Sequence, residues 1–450
     1  MTTQSISGLS FNRRILHAAM IVTFVGVLVK VVATAKEFIV AGVFGRSDEM
    51  DAFLIAYLVP GVLMNLFSDS MNQALIPTLV RVKEVDGHCK AQNLLSSALF
   101  STCIFATAGS LLMAVAARVF FPIIFMQFPA HKLLLAEQLF YGLLPIVLLC
   151  SVASNCTAVV NTTERFALPA LAMVSTPLAI IIAMWLLAPR LGIWSMVFAN
   201  LTGELLRVVV VVWFMQGHGY RFNLRWHGFS PQFREVVQQY GLVLLSGLVA
   251  SGGLLVDQGM AATLPSGSVS TLVYANRFVA VVLNLLAGSI GTAITPYFSK
   301  LVAQRDWAAC RRTVNTYVWI TALISIPVAL TMIFGSHLLV RLAFQHQAFG
   351  LQDTAAVSRV QAMYAIQVPF YIVSRVFYRY LVAIRRTSLT LYCGAISLFL
   401  DVIFNLSLMR VYGVAGIALA TSLWTIISCG FLAYWTYRLL PVSEPMQSVA

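Results

Sequence analysis

The chain has 450 residues, 60% of them hydrophobic and only 10% charged, with a net charge of +13 at pH 7. Its mean hydropathy is +0.86, whereas ordinary soluble domains carry about 25% charged residues, so a soluble globular protein is excluded. The basic excess does not point to nucleic acid, because no stretch joins a soluble domain to clustered basic and aromatic residues. The bias of Lys and Arg toward cytoplasmic loops of membrane proteins accounts for it.

Apolar runs of roughly 20 residues recur throughout, each long enough to span about 30 Å of hydrocarbon. About twelve spans are predicted: 15–43, 51–79, 92–116, 134–160, 167–188, 192–216, 236–262, 268–297, 311–334, 354–382, 387–410 and 413–438. The fold class is an all-α polytopic membrane protein. Arg13-Arg14 precede the first run, which continues past a signal-peptide core and reads as an uncleaved span. The seven cysteines are scattered without a CxxC, and their odd count argues against a disulfide framework. The seven histidines form no metal-ligand spacing such as HExxH.

The first two spans are joined by Gly45-Arg46-Ser47-Asp48-Glu49 and hold Lys30, Lys36, Glu37, Asp51 and Asp69. A charge near a bilayer centre costs about 2.5–3.5 kcal/mol on insertion scales, so such groups face a water-filled cavity or a partner. Helical spacing puts Thr23, Lys30, Thr34 and Glu37 on one face, and Asn65, Asp69 and Asn72 on one face of the next helix. Two polar stripes on adjacent spans predict a shared hydrophilic interior. For Lys36 and Glu37 the competing reading is a locally neutralised pair near the membrane surface.

This stretch returns later in the chain. Ala56, Val62, Asn65, Leu66, Ser70, Ala74 and Pro77 map by one constant offset onto Ala275, Val281, Asn284, Leu285, Ser289, Ala293 and Pro296. The chain therefore reads as two related halves, an N-terminal six-helix bundle over 1–216 and a C-terminal one over 240–450. Transporters built from repeats place their sites where the repeats meet. The linker 217–239 between them is basic and aromatic (Tyr220, Arg221, Phe222, Arg225, Trp226), then reads as an amphipathic interfacial helix from Pro231.

Other polar groups fall within spans. Glu204 and Arg207 lie one turn apart and read as a self-neutralising pair. In the second half Asp257, Arg277, Arg375 and Asp401 stand in spans seven, eight, ten and eleven. Arg277 shares a face with Tyr274 and Asn284, and its permanently charged fork suits phosphate. Asp401 and Asn405 are four apart; with Asp257 and Thr421 they offer oxygen atoms for a hard cation, or simply interhelical hydrogen bonds. Pro60, Pro145, Pro177, Pro327 and Pro369 predict kinks, either gating or static. With the amino terminus inside, cytoplasmic segments hold about 17 basic residues and the opposite side about seven, which predicts both termini cytoplasmic.

Several motifs carry a resemblance. Val31-Val32-Ala33-Thr34-Ala35-Lys36-Glu37, Phe44-Gly45, Asp51-Ala52-Phe53, Pro60 and Gln73-Ala74-x2-Pro77 resemble the first hairpin of the MviN/MurJ lipid II flippases. Tyr274-Ala275-Asn276-Arg277 with Gly291-Thr292-Ala293-x2-Pro296-x2-Ser299-Lys300 resembles that family's eighth span, and Arg165-Phe166-x2-Pro169-Ala170 its fourth-to-fifth loop. The resemblance implies the fold of the multidrug and polysaccharide exporters, two six-helix bundles forming a V around a central cavity. It also implies a bacterial inner-membrane flippase that moves a polyprenyl-diphosphate-linked saccharide from inner to outer leaflet. Carried over, the substrate-binding residues are Lys30, Lys36, Asp51, Arg277 and Arg375. A sodium ion, which some members place between spans seven, eleven and twelve, falls here on Asp257, Asp401, Asn405 and Thr421.

Departures from the family's pattern bear on the cargo. Lys30 and Lys36 stand where arginines are usual, Met64 and Asn65 replace an arginine pair, and Asn276 replaces an aspartate. The family's two extra carboxy-terminal spans, which help form a groove for the lipid tail, are expected to be missing. The saccharide stays open between the peptidoglycan precursor lipid II and a polysaccharide repeat unit. Partners by this reading are the lipid-linked saccharide and the bilayer, with glycosyltransferases or cell-wall synthesis proteins as further ones, and no nucleic acid. The alternatives are a drug or cation exporter of the same superfamily, or a membrane enzyme of polysaccharide assembly. The first fits poorly with a net basic set of buried charges. The second usually requires a sizeable outer loop with catalytic residues, and the longest here, 117–133 and 335–353, offer only His131, Lys132, His337, Arg341 and His346.

Overall fold

The computed structural model describes residues 25–124, 129–162 and 167–440. The readings on Arg13, Arg14, Thr23, Arg165 and Phe166 lie outside the described residues, as do the side chains of Asp69, Ser289, Thr292, Ala293 and Pro296. The described residues are almost wholly helical and contain no strand. In chain order the helices are α1 (25–44 as described), α2 (Asp48–Asp86), α3 (His88–Ile124), α4 (Ala130–Leu143), α5 (Pro145–Asn161), α6 (Ala167–Ala172), α7 (Ser175–Leu186), α8 (Ala188–Leu191) and α9 (Trp194–Gly217). There follow α10 (Pro231–Ala261), α11 (Ser268–Ala303), α12 (Trp307–Phe334), α13 (Ser336–Phe344), α14 (Leu351–Ala365), α15 (Gln367–Ala383), α16 (Thr387–Tyr412) and α17 (Val414–Leu439).

Among the described residues nine segments are long and apolar enough to cross a membrane. The other predicted spans correspond to α1, to α10, and to α14 with α15. Large apolar side chains stand exposed along these helices, as at Phe105, Leu112 and Val115 on α3, Trp319 and Leu323 on α12, and Phe399 on α16. Water would penalise such stripes, whereas hydrocarbon accepts them, and helices satisfy their own backbone groups there.

Proline and glycine set the breaks. Three of the predicted kinks are helix restarts: Pro145 opens α5 after Leu144, and Pro177 and Pro369 sit in the first turn of α7 and α15. The first turn is where a missing N–H costs least. Pro60 and Pro327 lie inside α2 and α12. The predicted interfacial helix from Pro231 is not a separate element; it forms the opening turns of α10, because Phe233 and Val236 are buried against α2, α3 and α9. Gly413, at φ 58°, makes the tight turn from α16 to α17 that a Cβ would oppose.

The chain divides into two compact units: Met1–Gly45 with Ala52–Ser251, and Arg46–Asp51 with Gly252–Ala450. In unit one, α5 packs on α3 and α9, and α9 on α7, around a core that includes Leu75, Leu79, Leu95, Leu99, Val159 and Met215. In unit two, α11, α12 and α17 each pack on α15, and α16 on α17, over Phe298, Val314, Phe377, Tyr380 and Leu432. The division falls inside α10, past the 217–239 stretch read as the linker.

Candidate functional site

The structure gathers one polar cluster deep in unit two. Asp257 on α10, Asp401 and Asn405 on α16 and Thr421 on α17 come together, all but Thr421 being buried. Asn405 Nδ2 donates to Asp257 Oδ1 at 2.8 Å and to Asp401 Oδ1 at 3.3 Å, so one amide pins both carboxylates. Thr421 Oγ1 donates to Asp257 Oδ2 at 3.1 Å. Two acceptors remain: Asp401 Oδ2 and Asn405 Oδ1 are buried with no hydrogen-bond partner among the described residues. Two close buried carboxylates with unmet oxygen atoms call for a proton or a cation, since an unpaired buried charge is costly. The donors are all hard oxygens, which suits an alkali or alkaline-earth ion and not a soft metal. Among the described residues no group of three or more His, Cys, Asp or Glu could hold a metal. Any cation here would therefore rest on the amide and hydroxyl as well as the two acids.

The predicted basic residues fall in both units. Lys30 is exposed on α1, and Thr34 Oγ1 bonds its carbonyl at 2.8 Å. Among the described residues no carboxylate pairs with Lys30. Lys36 instead meets Glu37 at 2.7 Å, forming the locally neutralised pair. In unit two Arg277 is exposed on α11, and Arg375 is half-buried on the adjoining α15. The Arg375 guanidinium donates to the Tyr371 hydroxyl and lies 4.2 Å from that ring's centroid and 5.9 Å from that of Tyr378. Stacking of this kind holds a cation without neutralising it. The Arg375 Nε–H is buried and, among the described residues, has no acceptor.

Asp51 has a different office from the one expected. It is 1% exposed, and its two oxygens accept from the Gly267 N–H at 2.7 Å and the Ser270 N–H at 2.8 Å. These are the first donors of α11, so Asp51 anchors the start of the helix that carries Arg277 and offers no free carboxylate to a ligand. Arg46 braces the same corner, donating to Thr271 Oγ1 at 2.6 Å and pairing with Asp353 at 3.3 Å. Glu204 and Arg207 form the predicted pair at 3.3 Å, with Thr176 Oγ1 donating to Glu204 at 3.1 Å. Sequence reasoning missed Tyr371 and Tyr378, although their spacing from Arg375, four before and three after, was readable as one helix face.

The family model described as "Lipid II flippase MurJ" matches residues 40–448. A probable lipid II flippase MurJ of Buchnera aphidicola subsp. Acyrthosiphon pisum (strain APS) is 22% identical over 411 residues, covering 89% of this chain and 80% of its own length. The lipid II flippase MurJ of Burkholderia cenocepacia is 25% identical over 370 residues, covering 78% and 70%. Among solved structures, a lipid II flippase MurJ in an inward closed conformation superposes with a TM-score of 0.80 at 24% identity, covering 93% of this chain and 87% of that one. An inward-facing multidrug-resistance transporter of the MATE family gives 0.77 at 13% identity, covering 94% and 98%. At these identities the solved structures speak for the fold.

Proposed function

Because the chain belongs to the MurJ lipid II flippase family, we propose that it moves a polyprenyl-diphosphate-linked saccharide from the inner to the outer leaflet of a bacterial inner membrane. Lipid II, the cargo for which its relatives are named, is the leading candidate. No bond is made or broken; the protein alternates access to one binding region, with both termini in the cytoplasm. The observation that carries this reading is Arg375, a cation held in place by two tyrosine rings, with a buried Nε–H that no acceptor among the described residues meets. An anion with several oxygens supplies what that donor lacks.

In this reading Arg375 and Arg277 of unit two present donor forks to diphosphate oxygens, and in unit one Lys30 is the cation that the family resemblance carries over, the charge of Lys36 being offset by Glu37. Charge-assisted hydrogen bonds are shorter and about twice as strong as neutral ones. Asp51 fixes where α11, and so Arg277, begins. The cluster of Asp257, Asp401, Asn405 and Thr421 would hold the coupling sodium ion, whose charge would offset the two carboxylates. Asn405 keeps both carboxylates turned toward a common point, and Thr421 orients the second oxygen of Asp257.

The test is delivery of lipid-linked saccharide to the outer leaflet in cells depleted of their own peptidoglycan flippase, scored beside protein level in the membrane. Arg277→Ala is expected to lower delivery at least about tenfold, the weight of a hydrogen bond to a charged group, at normal membrane level. Arg277→Lys recovers only part, since a point charge lacks the fork, and Lys30→Arg is tolerated. Full delivery by a stably inserted Arg277→Ala, Lys30→Ala double variant would return these residues to a structural role. Failure of the unaltered chain to restore peptidoglycan, with export of a polysaccharide unit intact, would reassign the cargo.

A further inference from the structure

In unit one, residues 220–230 form an irregular strap that runs along the start of α3. The Tyr220 ring lies 4.4 Å from His88. The Gln92 side chain brackets the next residue, accepting from the Arg221 N–H at 2.9 Å and donating to its carbonyl at 2.8 Å. Further along, the His227 N–H donates to Ser97 Oγ at 3.2 Å and the Trp226 ring lies 6.0 Å from Phe100. These contacts advance from His88 to Phe100, about 18 Å along the helix axis. One turn beyond, α3 begins the exposed apolar stripe of Ile104, Phe105, Leu111, Leu112, Val115 and Val119. The far end of the strap thus stands at the level where hydrocarbon begins, the depth that tryptophan favours.

The surface of the strap fits that depth. Phe222, Leu224, Trp226 and Phe229 are exposed beside Arg221 and Arg225, and Arg234 is exposed on the first turn of α10. No Asp or Glu occurs from Gly217 to Arg234. Among the described residues no carboxylate pairs with any of these three arginines. The face is complementary to an anionic headgroup layer.

Directly beneath lies a cleft of about 230 Å³, lined among others by Phe67, Phe105, Phe233, Val237, Tyr240 and Gly241. The serine and threonine hydroxyls in its wall are already used: Ser101, Thr102 and Ser151 each donate to the carbonyl four residues back, at 2.8, 2.7 and 2.7 Å. The cleft therefore favours hydrocarbon. Arg234, Val237 and Gly241 follow steps of three and four on α10 and share one face, so the guanidinium stands one turn above the lip. We infer that unit one holds an anionic glycerophospholipid of the surrounding bilayer. Its phosphate is met by Arg234 with Arg221 and Arg225, and one acyl chain lies in the cleft. The inference is independent of the cargo, since it uses none of the residues assigned to the diphosphate.

Purified full-length protein, titrated in detergent and observed by native mass spectrometry, tests this with three probes: phosphatidylglycerol, phosphatidylcholine and undecaprenyl phosphate. Phosphatidylglycerol is expected to be retained over phosphatidylcholine. Arg234→Gln should weaken it about fivefold, the effect of one basic residue near a membrane surface, and the triple glutamine variant should weaken it further. Gly241→Leu should displace the chain, because a Cβ at that position meets no atom within 4 Å and the new side chain has the cleft to fill. Equal retention of the two phospholipids overturns the inference, as does phosphatidylglycerol binding that neither substitution changes. So does loss of undecaprenyl phosphate alone in these variants, which would make the cleft a cargo site. Arg234 is exposed and has no carboxylate partner among the described residues, so Arg234→Gln keeps the fold and decides the matter even if Gly241→Leu is unstable.

Discussion

Asp51 shows how much one side chain can organise. Both of its oxygens accept backbone N–H groups at the head of α11, and it is almost wholly buried. Asp51→Ala leaves those donors unmet and is expected to cost about 1–3 kcal/mol, read as a lower thermal midpoint in detergent; Asp51→Asn, which can keep one acceptor, should fall between. An unchanged midpoint in Asp51→Ala would show that the contact carries no stability. Asp401 allows a second measurement. If the oxygen cluster holds sodium, the bound ion stabilises the fold by about 2.7 kcal/mol at a hundredfold excess over Kd, and Asp401→Ala abolishes that increment. The same sodium response in both proteins would remove the ion from the site. These two aspartates were unequally legible. Asp401 and Asn405 stand four apart, so their shared face could be read directly. The donors to Asp51 lie 216 and 219 residues away, and no local period encodes a partner at that distance.

Between helices, close approach is set by small residues, as is common in membranes. A Cβ at Gly203 on α9 would stand 2.5 Å from Thr176 Cα on α7, and the Ser175 hydroxyl donates to the Gly203 carbonyl at 2.9 Å across the same gap. Gly203→Ala is therefore expected to lose about 1–3 kcal/mol through overpacking and to accumulate poorly in the membrane. Gly109→Ala, where a Cβ meets nothing within 4 Å, is the matched control and should be near neutral. Equal accumulation of the two variants would contradict the packing argument. At this scale the helices were visible as apolar runs, but their internal breaks were harder to read. Pro145 and Pro369 looked like kinks within single spans, yet each sits in the first turn of a new helix. Proline marks the interruption, whereas the packing of the flanking turns decides whether the axis bends or restarts.

For the molecule as a membrane object, the basic-residue asymmetry predicts orientation. Arg46 and Asp353, assigned to the same side on that basis, pair at 3.3 Å within unit two and so must share an end of it. Cysteines introduced near them are expected to react with an impermeant thiol reagent from outside the cell, and one near Arg311 is not. Reversed labelling would invert the topology. The natural background is favourable, since Cys89, the exposed member of the seven cysteines, stands in the first turn of α3 on the side assigned to the cytoplasm, out of reach of the reagent. The all-helical class was legible from hydropathy alone. The extent of the compact units was not, because the short Arg46–Asp51 segment clusters with a body whose remainder begins two hundred residues later.

That displacement has a consequence in time. Chains are made at about 5–20 residues per second, so Asp51 leaves the ribosome on the order of ten to forty seconds before Gly267 and Ser270, the residues whose amides will meet it. Throughout that interval the nascent chain carries a carboxylate whose finished surroundings do not yet exist. The closing of this corner waits for α11, which makes it a late event in biogenesis.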